Sequence, residues 1–187
     1  MRAPFLFFLP FLAAVAASTI LVGLTYVSAQ QNYRMVANDP QVALAYDASA
    51  GIGRGNPAAK YFMDTLDISR SLGVFATLYN EQYQPVWSSG LLDGRFPRLP
   101  DGVLDYVKIN GEERVTWQPR RGLRVAMVVV RMTKPGATFL AVGRSLKETE
   151  GRIANVEKML GLGWLSIMGI IGLTAAILYA KRKTEIP

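Results

Sequence analysis

Any chemistry in this chain must proceed without histidine or cysteine, because none of its 187 residues is either. That excludes a Ser-His-Asp triad, a thiolate nucleophile, a disulfide, a His or Cys metal ligand and a phosphorylatable histidine. The carboxylates do not fill the gap. Asp64, Asp67, Asp93, Asp101 and Asp105 are scattered, unlike the dense oxygen-ligand loop that calcium requires. No two carboxylates stand at a spacing that demands acid–base work. The expectation is a non-enzymatic chain with no metal and no cofactor. What remains are groups suited to binding. Tyr79, Trp87 and Trp117 could line a small-molecule pocket between sheet and helices, or fill a core, as aromatics on strands commonly do. Arg124 and Arg131 flank an apolar strand, where guanidinium forks could hold an anion or stand in solvent. Arg120 and Arg121 belong to a turn facing water or lipid headgroups.

Two further patterns reduce to structure. Gly51, Gly53 and Gly55 in "GIGRGNPAA" lack the preceding strand and following Gly-Lys-Ser/Thr of a phosphate loop, so the stretch reads as a connector. The net charge of +7 comes from Lys181–Lys183 beside an apolar run and from a stretch around Arg114, Arg120, Arg121 and Arg124. Nucleic-acid binding would gather basic residues with aromatics on one helix or groove, so no nucleic-acid partner is expected.

The elements that position these groups begin at two apolar segments. No charge occurs from Ala3 to Tyr33 or from Met159 to Ala180, and each core is long enough to cross a bilayer of about 30 Å. Arg2 precedes the first and Lys181, Arg182 and Lys183 follow the second, so the positive-inside rule puts both ends in the cytoplasm. Val27-Ser28-Ala29 also fits a signal-peptide cleavage pattern, but the apolar run exceeds the usual ~7–15-residue core and favours an uncleaved anchor. The divisions are residues 1–29, a membrane helix; 30–158, an outer domain; 159–180, a second membrane helix; and 181–187, a basic tail.

Within the outer domain, Gln30–Ser49 reads as helix, with a bend at Asn38-Asp39 where Asp39 caps and Pro40 opens a new helix. "GVFATLYN" is a strand with Asn80 available for a turn, and "QPVWSSG" is a second, with Pro85 at an edge or entry. Asp101–Asn110 is a short helix ending before Gly111. "ERVTWQ" alternates, "LRVAMVVVRM" suits a central strand, and "KPGA" suits a type II turn into "TFLAVGR". The class is α+β: about five antiparallel strands, a long N-terminal helix, and helices against one face of the sheet. Ser145 and Glu148 fit a capping box that starts an exit helix running into the second apolar segment. Leu146, Thr149, Ile153, Val156 and Leu160 form a seam on it, suited either to a homodimer or to the chain's own N-terminal helix.

"ANDPQ" at Ala37–Gln41, "VTWQP" at Val115–Pro119 and "AVGRSLKETE" at Ala141–Glu150 resemble the extracytoplasmic sensor region of bacterial membrane-bound two-component histidine kinases. The resemblance implies a PAS-like (Cache-related) domain between two transmembrane helices in a bacterial cytoplasmic membrane, with Tyr79, Trp87, Trp117 and Arg124 as ligand-binding candidates. The family's cytoplasmic kinase modules do not follow Lys181–Pro187 here. The expected function is therefore a sensor-like regulator acting through a membrane partner such as a sensor kinase. The alternative is a docking or assembly subunit of an envelope complex.

Overall fold

The computed structural model describes residues 5–36, 39–132 and 136–184. The elements are α1 (Phe5–Val36), α2 (Asp39–Gly53), a 3-10 turn (Ala58–Lys60), β1 (Leu66–Asp67), β2 (Val74–Tyr79), β3 (Pro85–Ser88), β4 (Gly90–Leu91), α3 (Asp101–Asn110), β5 (Glu112–Arg120), β6 (Leu123–Arg131), β7 (Phe139–Ser145) and α4 (Lys147–Thr184). The class is α+β. The chain forms two units, Arg34–Glu150 and the pair Met1–Tyr33 with Gly151–Pro187. Asn38, Arg2 and the Lys134-Pro135 part of the expected turn lie outside the described residues.

In the first unit, five strands make an antiparallel sheet in the order β3-β2-β7-β6-β5. Turn chemistry sets the hairpins. Asn80 Oδ1 accepts from the N–H groups of Gln82 and Gln84, at 3.0 and 2.9 Å, between β2 and β3. Gly122 turns β5 into β6 at φ 79°, a conformation that favours glycine. Both strand prolines, Pro85 and Pro119, fall on the edge strands, where no ladder donor is lost. Gly111, at φ 87°, ends α3 by donating to Val107 O at 2.8 Å.

Alternation along the strands gives the sheet two cores. One face buries Ala76, Leu78, Val128, Val130, Leu140 and Val142 with Ala45, Ala48 and Ile52 of α2. The other buries Phe75, Val125, Met127, Val129 and Ala141 with Leu104 and Val107 of α3. The expectation of helices on one face is thus corrected, because consecutive valines in β6 point to opposite sides and both sides must be covered. Each fully buried valine contributes about 1.5–3 kcal/mol. The middle of the sheet is β7, not β6, because β2 pairs on β7's far side. Phe75 sits between two glycines: a Cβ built on Gly90 would lie 2.7 Å from its ring, and one on Gly143 would lie 2.9 Å from its Cζ.

The "GIG" stretch also differs from expectation. Residues through Gly53 are helical, and Gly51 is a point of close approach, since a Cβ there would overlap the Tyr61 hydroxyl. The short connections after it are secured by a parallel bridge of β1 with β4, pairing Leu66 with Gly90 and Asp67 with Leu91.

In the second unit, α1 and α4 are long and apolar enough to cross a membrane. Their apolar side chains are largely uncovered, Leu21 at 69% and Ile170 at 66% exposure. The helices meet antiparallel: Phe7 and Phe8 flank Tyr179 at 6.0 and 5.9 Å between ring centroids, and Trp164 Nε1 donates to Thr19 Oγ1 at 3.0 Å. The Arg182 guanidinium lies 5.5 Å from the Phe7 ring. Ile153, Val156 and Leu160 of the seam are half-buried within this single chain, while Ala154, Asn155, Glu157 and Lys158 are exposed.

Candidate functional site

The residues nearest to function gather where β7 becomes α4. Only Leu146 separates Ser145, the end of β7, from Lys147, the start of α4. Leu146 N–H still donates to Arg124 O of β6 at 2.9 Å, and Ser145 Oγ accepts from Lys147 N–H at 3.3 Å. Glu148 takes the guanidinium of Arg144 at 3.1 Å, and Arg144 Nε also donates to Leu72 O at 3.1 Å. Arg124 Nη1 reaches Glu150 at 2.7 Å. The start of the helix is therefore tied to β6, to β7 and to the chain before β2. With side chains a third or more exposed, each ion pair contributes under about 1 kcal/mol, so these contacts fix geometry more than they stabilise.

Beside this junction the β5–β6 turn encloses a cavity of about 250 Å³. Its cationic lining is Arg120, Arg121, Arg124 and Lys147, with Ser69, Ser145 and Glu150 among the polar groups. Two cations are matched: Arg120 lies 3.1 Å from Asp93, and Arg124 holds Glu150. Among the described residues, no carboxylate lies within ion-pair distance of Arg121 or Lys147. Ser69 Oγ is buried and makes no hydrogen bond of normal geometry among the described residues. Next to it, Asp67 accepts from Ser69 N–H at 2.9 Å, which holds its carboxyl below the usual range against its partial desolvation, and the Ser69 hydroxyl and the cations Arg70 and Arg120 pull the same way.

The aromatic candidates do not share one pocket. Trp87 stands opposite Leu78 on the α2 face, 6.3 Å from the Phe62 ring. Tyr79 is one residue beyond Leu78 and so points to the α3 face, fully buried, its hydroxyl donating to Pro97 O at 2.9 Å. Burial pushes that hydroxyl's pKa up. Trp117 shares the α3 face and borders an open groove of about 760 Å³ with Phe96, Pro97 and Pro100. The anion fork of Arg124 with Arg131 also separates. The two stand at opposite ends of β6, about 23 Å apart at strand rise. Arg131 caps α3 by donating to Lys108 O at 2.8 Å. Of the sequence candidates, Arg124 and Ser145 line the cavity; in place of the expected capping-box contacts, Ser145 Oγ accepts from Lys147 N–H and the Glu148 carboxylate meets Arg144.

Sequence reasoning missed Ser69 and Lys147, which carry no motif. It also missed a surface triad in which Tyr46 of α2 donates to Glu112 of β5 and Arg114 Nε lies 2.8 Å from the same carboxylate. The Tyr46 hydrogen bond, with help from Arg114, lowers the Glu112 pKa, and the same bond raises that of Tyr46. No group of three acidic, His or Cys side chains among the described residues could hold a metal ion. No protein-family model matches the chain, and no curated protein matches it.

Proposed function

We propose that the chain is a membrane-anchored, sensor-like regulatory module. Its Gln30–Lys158 domain would lie outside the cytoplasmic membrane, and it would act on a membrane partner through α4. The observation that carries this reading is the junction: the middle strand of the sheet passes into the helix bearing the second apolar segment, with one residue between them. Any shift of β7 within the sheet is delivered to α4, where a flexible linker would absorb it. Antiparallel packing of α1 and α4 supports a topology with both ends on one side, and Lys181–Lys183 favour the cytoplasm for that side. A PAS-like domain is supported by the sheet itself, whose five strands, numbered alone, lie in the order 2-1-5-4-3.

The test is isolation from native membrane with the partner identified by mass, followed by a Gly-Ser insertion after Gly151. A signalling module should keep its partner and lose its effect on it. A docking subunit should keep both, a reading favoured by Tyr106 and Ile109, exposed at 50% and 83% on α3. Absence of any membrane partner would overturn the proposal.

A further inference from the structure

The cavity at the β7–α4 junction has an excess of positive charge that its own carboxylates do not consume. Arg121 projects from the β5–β6 turn and Lys147 from the first turn of α4, and both line the same space without an acidic partner among the described residues. Ser69 adds a buried hydroxyl lacking a hydrogen bond of normal geometry, whose weak interaction with the Asp67 carboxylate an anion entering the cavity can replace. A guanidinium, an ammonium and a hydroxyl around a small cavity match a tetrahedral oxyanion: the guanidinium offers a fork, the ammonium a point charge and the hydroxyl a neutral donor. A carboxylate could pair with the cations, but it offers only two oxygens to three separate donors.

We propose that this cavity is a binding site for a phosphate group, either free inorganic phosphate or the phosphate of an anionic lipid headgroup, held by Arg121, Lys147 and Ser69. Arg124 is a conditional fourth donor, because it is occupied by Glu150 at 2.7 Å. An entering phosphate competes with Glu150 for Arg124. Its binding therefore loosens the tie between β6 and α4, which gives the site a route to the helix. Only that last step rests on the regulatory reading above, since a docking subunit would bind phosphate equally well.

The experiment uses the full chain in nanodiscs of phosphatidylcholine alone, titrated with inorganic phosphate at constant ionic strength. A parallel set contains phosphatidic acid without added phosphate. Saturable binding in the first set identifies a soluble anion. Protection of the Ser69 and Arg121 segments from hydrogen exchange only in the second identifies a headgroup. Arg121→Ala with Lys147→Ala should weaken whichever binding is seen by at least about tenfold, and Ser69→Ala, which leaves all charges in place, by about threefold or more. Glu150→Gln should strengthen it severalfold by releasing Arg124. An unchanged thermal midpoint for Ser69→Ala separates lost binding from lost folding. Absence of binding in both sets would overturn the site, as would binding indifferent to Ser69→Ala and Glu150→Gln, which would mark simple surface attraction. Failure here leaves the insertion test after Gly151 untouched.

Discussion

Arg124 and Glu150 lie 2.7 Å apart, joining the start of β6 to the first turns of α4. Each side chain is 42% exposed, so solvent screens the pair and its loss should cost less than about 1 kcal/mol. The larger effect is local. In Arg124→Ala, amide exchange in the first turn of α4 should accelerate while that of β7 stays unchanged. Equal acceleration in both would mean that the pair holds the sheet and not the helix start.

Gly143→Ala places a methyl group 2.4 Å from Met127 Sδ and 2.9 Å from Phe75 Cζ. Methionine can yield, but the phenylalanine ring is also confined at Gly90. The expected cost is about 1–3 kcal/mol by denaturant unfolding. A neutral result would show that the Phe75 ring has room to move.

Val129→Asp buries a carboxylate on the α3 face, at a position with no exposed surface. It should cost several kcal/mol, about 3 or more, and prevent folding of the sheet-bearing unit, Arg34–Glu150. Near-wild-type proteolytic resistance would refute the assignment of Val129 to a core.

The Tyr46–Glu112–Arg114 triad gives an acid-sensitive contact. The folded pKa of Glu112 lies below its unfolded value, so its contribution is complete above the unfolded value and vanishes as pH falls through the folded one. The loss should begin near the ordinary glutamate value of about 4.3 and extend lower. Glu112→Gln should flatten that part of the stability–pH curve, and an unchanged slope would place the acid sensitivity elsewhere.

Gly151 has open space where a Cβ would stand. Gly151→Ala should therefore stabilise α4 by up to about 1 kcal/mol, visible as slower exchange around Ile153. No change would mean that the helix is already held there by its surroundings.

Local chemistry made much of this fold readable. Asp101 and Gly111 bound α3 because a helix ends where glycine takes positive φ, and Val115 and Trp117 alternate because β5 is an edge strand with one wet face. The two-residue β1–β4 bridge has no local signature, being set by chain segments brought together from a distance. The split of Trp87 from Trp117 followed from strand parity and sheet order jointly, and only the parity was legible. The stretch around Gly51 reads as a connector from composition alone, whereas Gly51 marks a crowded approach by Tyr61, as Gly143 does by Phe75. At the site, Arg124 and Ser145 were marked by position, but Ser69 has significance only once the β5–β6 turn folds beside it.

The place of β7 bears on how the molecule is made. The β2–β3 and β5–β6 hairpins can form as soon as each is synthesised, but both must wait for β7, the last of the five sheet strands in chain order, to be joined into a sheet. Until then β2 and β6 present open edges able to recruit foreign strands. Closure of the sheet thus falls just before synthesis of α4, so the two hairpins stay unjoined until the chain has been made through Ser145.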